Sequence, residues 1–305
     1  MTSILIPSGC REPAPPFRPL DPVAFSGERA MGAVRTFVEL GPKVSGTPGA
    51  AEAADRIAAQ LRESGLAVET DAFQEVAPRG ETTFRNVLGR RPGSGSGMVV
   101  VGCHYDTKSG IGEDFRGAND SGSGVGLLLE LARILGRQPA GQAEVLLAFF
   151  DGEECVASYG PHDGLHGSRR LAERLRREGK APQVRGVLIV DMVGDRDLTI
   201  TIPRNGTPEL ITAVFESARE EGARMRFSLL PAQMLDDHTP FLEAGMPAVD
   251  LIDFEYGSAP GLNDYWHTAA DTIDKLSAQS LETVGRVVVR VLNRLEAEAS
   301  APAAR

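Results

Sequence analysis

MVVVGCH, residues 98–104, is an unbroken apolar run closed by a histidine. A strand with one face in water alternates apolar and polar residues, so a run like this reads as a strand buried on both faces of a sheet. Two further segments repeat the pattern. EVLLAFF at 144–150 is followed at once by Asp151-Gly152-Glu153-Glu154, and GVLIVDMV at 186–193 contains Asp191. Around these strands, helical spacing of apolar residues predicts helices over 27–40, 48–64 (closed by Gly65), 122–136, 165–178, about 207–221 and 277–297, with a short helix from about 237. Residues 66–74 and 82–89 alternate as strands do, and 247–252 is another apolar strand. Strands alternating with helices predict a single α/β domain over residues 23–300, with a mixed, mostly parallel central sheet and helices on both faces.

His104, the 151–154 acids and Asp191 all fall at the ends of buried strands. In open α/β sheets, ligands bind beyond the carboxyl ends of the strands, so the three strands are expected to deliver these groups to one edge. The composition narrows what that edge does. The chain carries a formal charge of −10 and no Lys/Arg run, which disfavours nucleic acid as a partner. No apolar stretch approaches the roughly 20 residues that cross a bilayer. The cysteines, Cys10, Cys103 and Cys155, form no C-x-x-C pair and are too few for a disulfide framework or a thiolate zinc site. Only five histidines exist, so any imidazole chemistry must use them.

Residues 1–22 are Pro-rich and aperiodic and read as a disordered or processed tail. Ser8-Gly9-Cys10 after a short apolar run resembles a bacterial lipoprotein cleavage site, but the basic start and long apolar core of an export signal are missing. Two locations stay open: an exported or lipid-anchored envelope protein if the true start lies upstream, and a cytoplasmic one otherwise.

Each polar constellation has a bland reading beside a chemical one. His104-Tyr105-Asp106 is a metal-ligating histidine with an orienting acid, or a histidine that caps a strand. Gly117 to Gly124 is a glycine-rich loop opening a helix. It lacks the lysine of a phosphate loop, and its Asp120 suits a cation better than an anion, or else caps the helix. Glu153 and Glu154 are a general base beside a metal ligand, or a solvated acidic turn. Asp191, alone in an apolar run, calls for a cation or a shared proton. Trp266-His267-Thr268 holds the only tryptophan, and Asp236-Asp237-His238 precedes a packed turn.

The order of these motifs (H-x-D, N-D-x-G-x-G, E-E, an Asp within an apolar strand, W-H-T) resembles the zinc aminopeptidases of the cocatalytic type and, within that clan, the glutaminyl-peptide cyclotransferases. The resemblance runs from about Phe25 to the last helix. It implies that Asp120, Glu154 and His267 bind zinc and that Glu153 shuttles protons. With a second zinc, His104 and Asp191 would join as ligands and Asp120 would bridge. Asp236 stands where the aminopeptidases carry a serine and is the cyclase-like addition, implied to share a proton network with Asp191. Tyr159 and Trp266 fall where the cyclases place pocket aromatics. Asn119 and Ser121 to Gly124 look more like the aminopeptidase loop, Leu235 replaces a polar residue, and Val125 replaces a cysteine that would pair with Cys103.

What the resemblance implies is therefore an enzyme acting on peptide or protein N-termini. The leading expectation is cyclisation of N-terminal glutamine to pyroglutamate at one zinc, and the alternative is a two-zinc aminopeptidase. Receptor ectodomains of similar fold lack the metal ligands that stand here. His162 and His166 read as loop residues, His238 as a structural hydrogen-bonding group and Cys155 as a small buried residue.

Overall fold

The first helices start where the sequence supplies caps. In the computed structural model, which describes residues 18–298, Ser26 Oγ accepts from Arg29 N–H at the head of α1 (Gly27–Val38), and Thr47 Oγ1 accepts from Ala50 N–H at the head of α2 (Pro48–Glu63). Each supplies an acceptor to a first-turn N–H that has none inside the helix. Gly65 takes φ +88° after α2, a conformation a side chain disfavours, and turns the chain into the hairpin β1 (Ala67–Ala77) and β2 (Gly80–Arg91). Then follow β3 (Met98–His104), α3 (Gly122–Leu135), β4 (Glu144–Phe150), α4 (His166–Arg177), β5 (Val184–Asp191), β6 (Ile200–Pro203), α5 (Pro208–Glu220), β7 (Phe227–Leu230), α6 (Thr239–Glu243), β8 (Ala248–Ile252) and α7 (Ala278–Glu298).

The main sheet has the order β1-β2-β4-β3-β5-β8. The β1–β2 and β2–β4 pairs are antiparallel, while β4, β3, β5 and β8 run parallel. The uninterrupted apolar runs follow from this position. Val99, Val101, Leu147, Phe149, Leu188 and Val190 pack into the core shared with α1, α2, α3, α5 and α7. Their alternates Val100, Leu146, Ala148, Phe150, Val187 and Ile189 pack against α4 and α6 on the other face. With side chains alternating across the strand and apolar layers on both sides, no position is left for a polar residue until the strand ends.

The chain leaves β3 through α3 to reach β4 on one side, then returns through α4 to β5 on the other. The loops therefore diverge at the carboxyl end of β3, the place where open α/β sheets bind ligands. The sequence had signalled every large element. The small parallel pair β6–β7 was not expected, because four residues are too few to show a period.

Residues 1–17 of the expected tail, Ser8-Gly9-Cys10 among them, lie outside the described residues. Leu20 is buried, and its N–H donates to Asn293 Oδ1 of α7 at 2.8 Å. Among the described residues no helix is long and apolar enough to cross a membrane.

Gly124 decides how closely α3 approaches the sheet. A Cβ there would stand 2.8 Å from Cys103 Cβ and 2.8 Å from the Val190 carbonyl oxygen. Gly124→Ala should therefore lower stability by about 1–3 kcal/mol through overpacking, although alanine is the better helix former by about 1 kcal/mol. Thermal unfolding checks this, and a melting temperature at or above that of the unsubstituted protein would contradict it.

Candidate active site

Three strand ends and three loops converge on one cleft. β3 ends in His104, and the turn after β4 carries Glu153 and Glu154, with Gly152 at φ +73°. β5 ends in Asp191, and the loop into α3 carries Asp120. Asp236 precedes α6, and Trp266 and His267 lie in the long connection between β8 and α7, with His267 at φ +54°. Asp120, Glu153, Glu154, Tyr159, Asp191, Asp236, Trp266 and His267, every expected site residue but one, line a cleft of about 140 Å³. His104 is the exception: it is buried beneath the cleft, with Nε2 3.1 Å from Asp120 Oδ1 and 3.3 Å from Asp191 Oδ1.

His267 Nε2 lies 3.1 Å from Glu154 Oε1 and 3.3 Å from Asp120 Oδ2. Trp266 stacks on the His267 ring at 4.0 Å and meets Phe254 edge-on at 5.1 Å, which restrains the imidazole. Tyr159 donates its hydroxyl to Glu153 Oε1 at 2.7 Å, and Glu153 Oε2 is 3.9 Å from His104 Nδ1. Asp106 lies 3.5 Å from His104 Nδ1 and accepts the backbone N–H groups of Glu153 (3.1 Å) and Glu154 (3.3 Å). It thereby neighbours the histidine and also clamps the turn that bears both glutamates.

Burial dominates the electrostatics. It pushes Glu153 well above the ordinary carboxyl range, reinforced by Glu154, Asp236 and Asp237, with His104 opposing. Burial and the charge of Asp120 raise Glu154 to about 7. Asp236 rises through burial and the charges of Asp191 and Asp237, and Asp191 rises chiefly through burial. Asp120 moves the other way, because hydrogen bonds from His104 and His267 outweigh its burial. For His267, the same acids overcome burial and raise it to about 9. These are the marks of an acid cluster short of positive charge.

The sequence model of peptidase family M28 matches residues 86–292. The chain belongs to peptidase family M28. It is similar to the glutaminyl-peptide cyclotransferase of Boiga irregularis, with 29% identity over 80% of this chain and 74% of that relative. Among solved structures it resembles an Acidobacteriales bacterium glutaminyl cyclase, with 31% identity, a TM-score of 0.83, and coverage of 95% of this chain and 100% of that one. It also resembles a Zn-dependent exopeptidase of Parabacteroides distasonis, with 26% identity, a TM-score of 0.76, and coverage of 88% and 98%.

The donors in this M28 chain fit a zinc ion. Asp120, Glu154 and His267 each offer a ligand atom within 4.8 Å of the others, and so do His104, Asp120 and Asp191. Carboxylate oxygen and imidazole nitrogen are the donors catalytic zinc takes. Asp120 Oδ2 is buried, and the His267 imidazole 3.3 Å away is poorly aligned to it, as expected of two groups that face a common cation. A third group, Asp236, His238 and Asp250, has similar spacing but does not fit. Asn205 is held by the Met234 backbone and donates to His238 Nε2 at 2.8 Å, which leaves the proton on Nδ1, facing Asp250 Oδ2 at 3.9 Å. His238 thus offers that cluster a donor rather than a lone pair. This agrees with its reading as a structural hydrogen-bonding group.

His166 corrects an expectation. It is not a loop residue but the first residue of α4, buried, stacked on Phe84 at 4.2 Å and paired with Glu75 Oε2 at 2.6 Å. The helix starts there because Leu165 turns the chain at φ +54°. Cys103 and Cys155 are free and buried, as expected. Sequence reasoning missed Lys108 as a site residue, although its Nζ reaches Glu154 Oε2 at 3.3 Å and the Cys155 carbonyl at 2.7 Å. It also missed Asp250, although an acid within the apolar run 247–252 is the same signal that marked Asp191, and Asp271, because an acid in a loop carries no signal until its neighbours are known.

A metal ligand must shed its proton before it binds. Below about 7 a proton occupies Glu154, and up to about 9 a proton competes at His267. Zinc affinity of the metal-free protein should therefore increase as pH rises through that window, with protons released on binding. Chelator competition across the range checks this, and a flat profile would contradict it.

Proposed function

We propose that this chain is a zinc-dependent glutaminyl-peptide cyclotransferase that uses one zinc ion to convert N-terminal glutamine of peptides to pyroglutamate with release of ammonia. The observation that carries this reading is the position of Asp236. It lines the same cleft as Glu153 and Asp191, with all three acids withdrawn from water beside a zinc donor set. That arrangement suits proton work on an amine. The relatives named as glutaminyl cyclases, at about 30% identity over most of the chain, support it.

Zinc held by Asp120, Glu154 and His267 would supply Lewis-acid polarisation of the glutamine γ-carbonyl. The chain's own groups do the rest. The α-amine forms a bond to the γ-carbon, and the bond from that carbon to the amide nitrogen breaks. Glu153 takes the amine proton and returns it to the departing nitrogen, which leaves as ammonia. Its upward shift, caused chiefly by burial, makes it a stronger base than an exposed glutamate. The Tyr159 hydroxyl on Oε1 fixes the carboxyl and leaves Oε2 for the transfer. Asp191 and Asp236 orient the amine, and Trp266 with Tyr159 walls the narrow cleft and limits water.

One observation favours the second reading, a two-zinc aminopeptidase: His104, Asp120 and Asp191 also converge within 4.8 Å. Against it, His104 Nε2 already bridges Asp120 and Asp191 at 3.1 and 3.3 Å, where its imidazolium can serve as the second positive charge. Asp236 replaces the neutral serine of the aminopeptidases.

Zinc-loaded protein should form pyroglutamate from glutaminyl peptides and release no leucine from leucyl peptides. Two zincs per chain with leucine release and no pyroglutamate would overturn the cyclase reading. Glu153→Gln should retain zinc and lose about 100-fold or more in turnover. Turnover equal to the unsubstituted protein would remove Glu153 as the proton carrier. Tyr159→Phe, which frees the Glu153 carboxyl without removing it, should cost less, on the order of 10-fold. Steady-state assays of the two variants side by side test that order.

A further inference from the structure

Asp120 and His267 approach within 3.3 Å from distant parts of the chain, and something must hold their two loops in register. The group that joins them is Asp271, which is buried and belongs to no donor set above. Its Oδ1 accepts the Asn119 N–H and its Oδ2 the Asp120 N–H, at 2.8 and 3.2 Å. The Tyr256 hydroxyl also donates to Oδ1 at 2.8 Å.

Both sides of this clamp are themselves braced. On the His267 side, Thr268 and Asp271 close a tight turn. Thr268 N–H donates to Tyr265 O (3.2 Å), Thr268 Oγ1 to the same carbonyl (2.7 Å), and Asp271 N–H to Thr268 O (3.1 Å). His267 and Asp271 therefore move together. Tyr265 N–H donates to Tyr256 O at 3.2 Å, and the two rings meet edge-on at 5.4 Å. On the Asp120 side, Asn119 Oδ1 accepts the Gly194 N–H at 2.9 Å, and Ser123 Oγ accepts the Val193 N–H at 3.0 Å. This ties the loop to the segment just beyond Asp191.

We infer that Asp271 is a positioning residue for the metal ligands: its carboxylate locks the loop of His267 to the loop of Asp120 and so sets the separation of the two. A carboxylate is the side chain for this place because it only accepts, and it faces three donors at once. An amide would turn an NH2 against one of them, and an apolar residue would leave two buried backbone N–H groups without an acceptor. Groups behind metal ligands typically alter metal affinity by about 10–100-fold when removed.

The inference rests on the ligand set proposed above, and a double-variant experiment separates the two. Zinc affinity is measured on metal-free full-length protein by competition with a chromophoric chelator, and the visible spectrum of bound Co2+ reports ligand geometry. Asp271→Asn should weaken zinc by about 10–100-fold and alter the Co2+ bands. In a His267→Ala background the same change should cost clearly less, since the second ligand whose separation from Asp120 it sets is gone. A folded Asp271→Asn protein with undiminished affinity and an unaltered spectrum, or an equal cost in both backgrounds, would leave Asp271 a structural acid only. Undiminished affinity in His267→Ala alone would instead refute the ligand set. If Asp271→Asn does not fold, Tyr256→Phe loosens the same carboxylate while retaining it. It should weaken zinc by roughly threefold or more, and no change in that variant would overturn the proposal.

Discussion

Too much negative charge in too little water governs this end of the molecule. Asp106, Asp120, Glu153, Glu154, Asp191, Asp236 and Asp237 are all buried around the carboxyl ends of β3, β4 and β5. A carboxylate removed from water must find a cation, a proton or several hydrogen-bond donors, because an uncompensated buried charge costs several kcal/mol. The protein uses all three. His104, His267 and Lys108 bring positive charge to Asp120, Asp191 and Glu154. Backbone N–H groups satisfy Asp106, which requires the turn at Glu153-Glu154 to fold back over it. The raised carboxyls at Glu153, Asp191 and Asp236 show that these measures fall short, leaving a deficit of positive charge that protons or the proposed zinc would fill.

The rest of the fold serves to hold that strain in place. A sheet covered on both faces is rigid, and at the apolar runs of β3, β4 and β5 the carboxyl ends are the first positions at which a polar side chain can escape the core. Behind the cluster, Lys43 is fully buried, its ammonium donating to the Gly41 and Arg116 carbonyls while lying 4.7 Å over the Phe37 ring. Burial lowers it to about 7, with Asp271 and Asp106 pulling it back. It ties down the chain just before Gly117, so the loop that offers Asp120 is pinned by buried groups of both charges.

The cyclase and aminopeptidase readings differ by little in space. Both need Asp120, Glu154 and His267, and both need an acid at Glu153. They part at the pocket formed by His104, Asp191 and Asp236. A neutral imidazole and an ionised Asp191 would receive a second cation, while an imidazolium and a carboxyl pair that shares protons would not. In the proposed cyclase reading, the added carboxylate at Asp236 favours the second arrangement, because closely spaced buried carboxyls share a proton.

Much of this was legible without coordinates. The period of MVVVGCH, EVLLAFF and GVLIVDMV determined a sheet buried on both faces. The interruption of each run by His104, Glu153-Glu154 or Asp191 marked where chemistry sits, since polar residues at strand ends are a local pattern in the chain. The motif order carried the family. What only the tertiary structure decided was which acids face one another. Asp271 and Lys108 lie in segments with no distinguishing pattern, and the roles of Asp106, Tyr159 and Asp250 depend on partners the chain reaches only by folding. His166 shows the same limit: the expected helix over 165–178 already contained it, but its pairing with Glu75 and its stacking on Phe84 join segments far apart in the chain. Periodicity reports the face a residue shows to the core, whereas a site is made by contacts between distant segments. Those contacts are set by how the loops cross the sheet's edge.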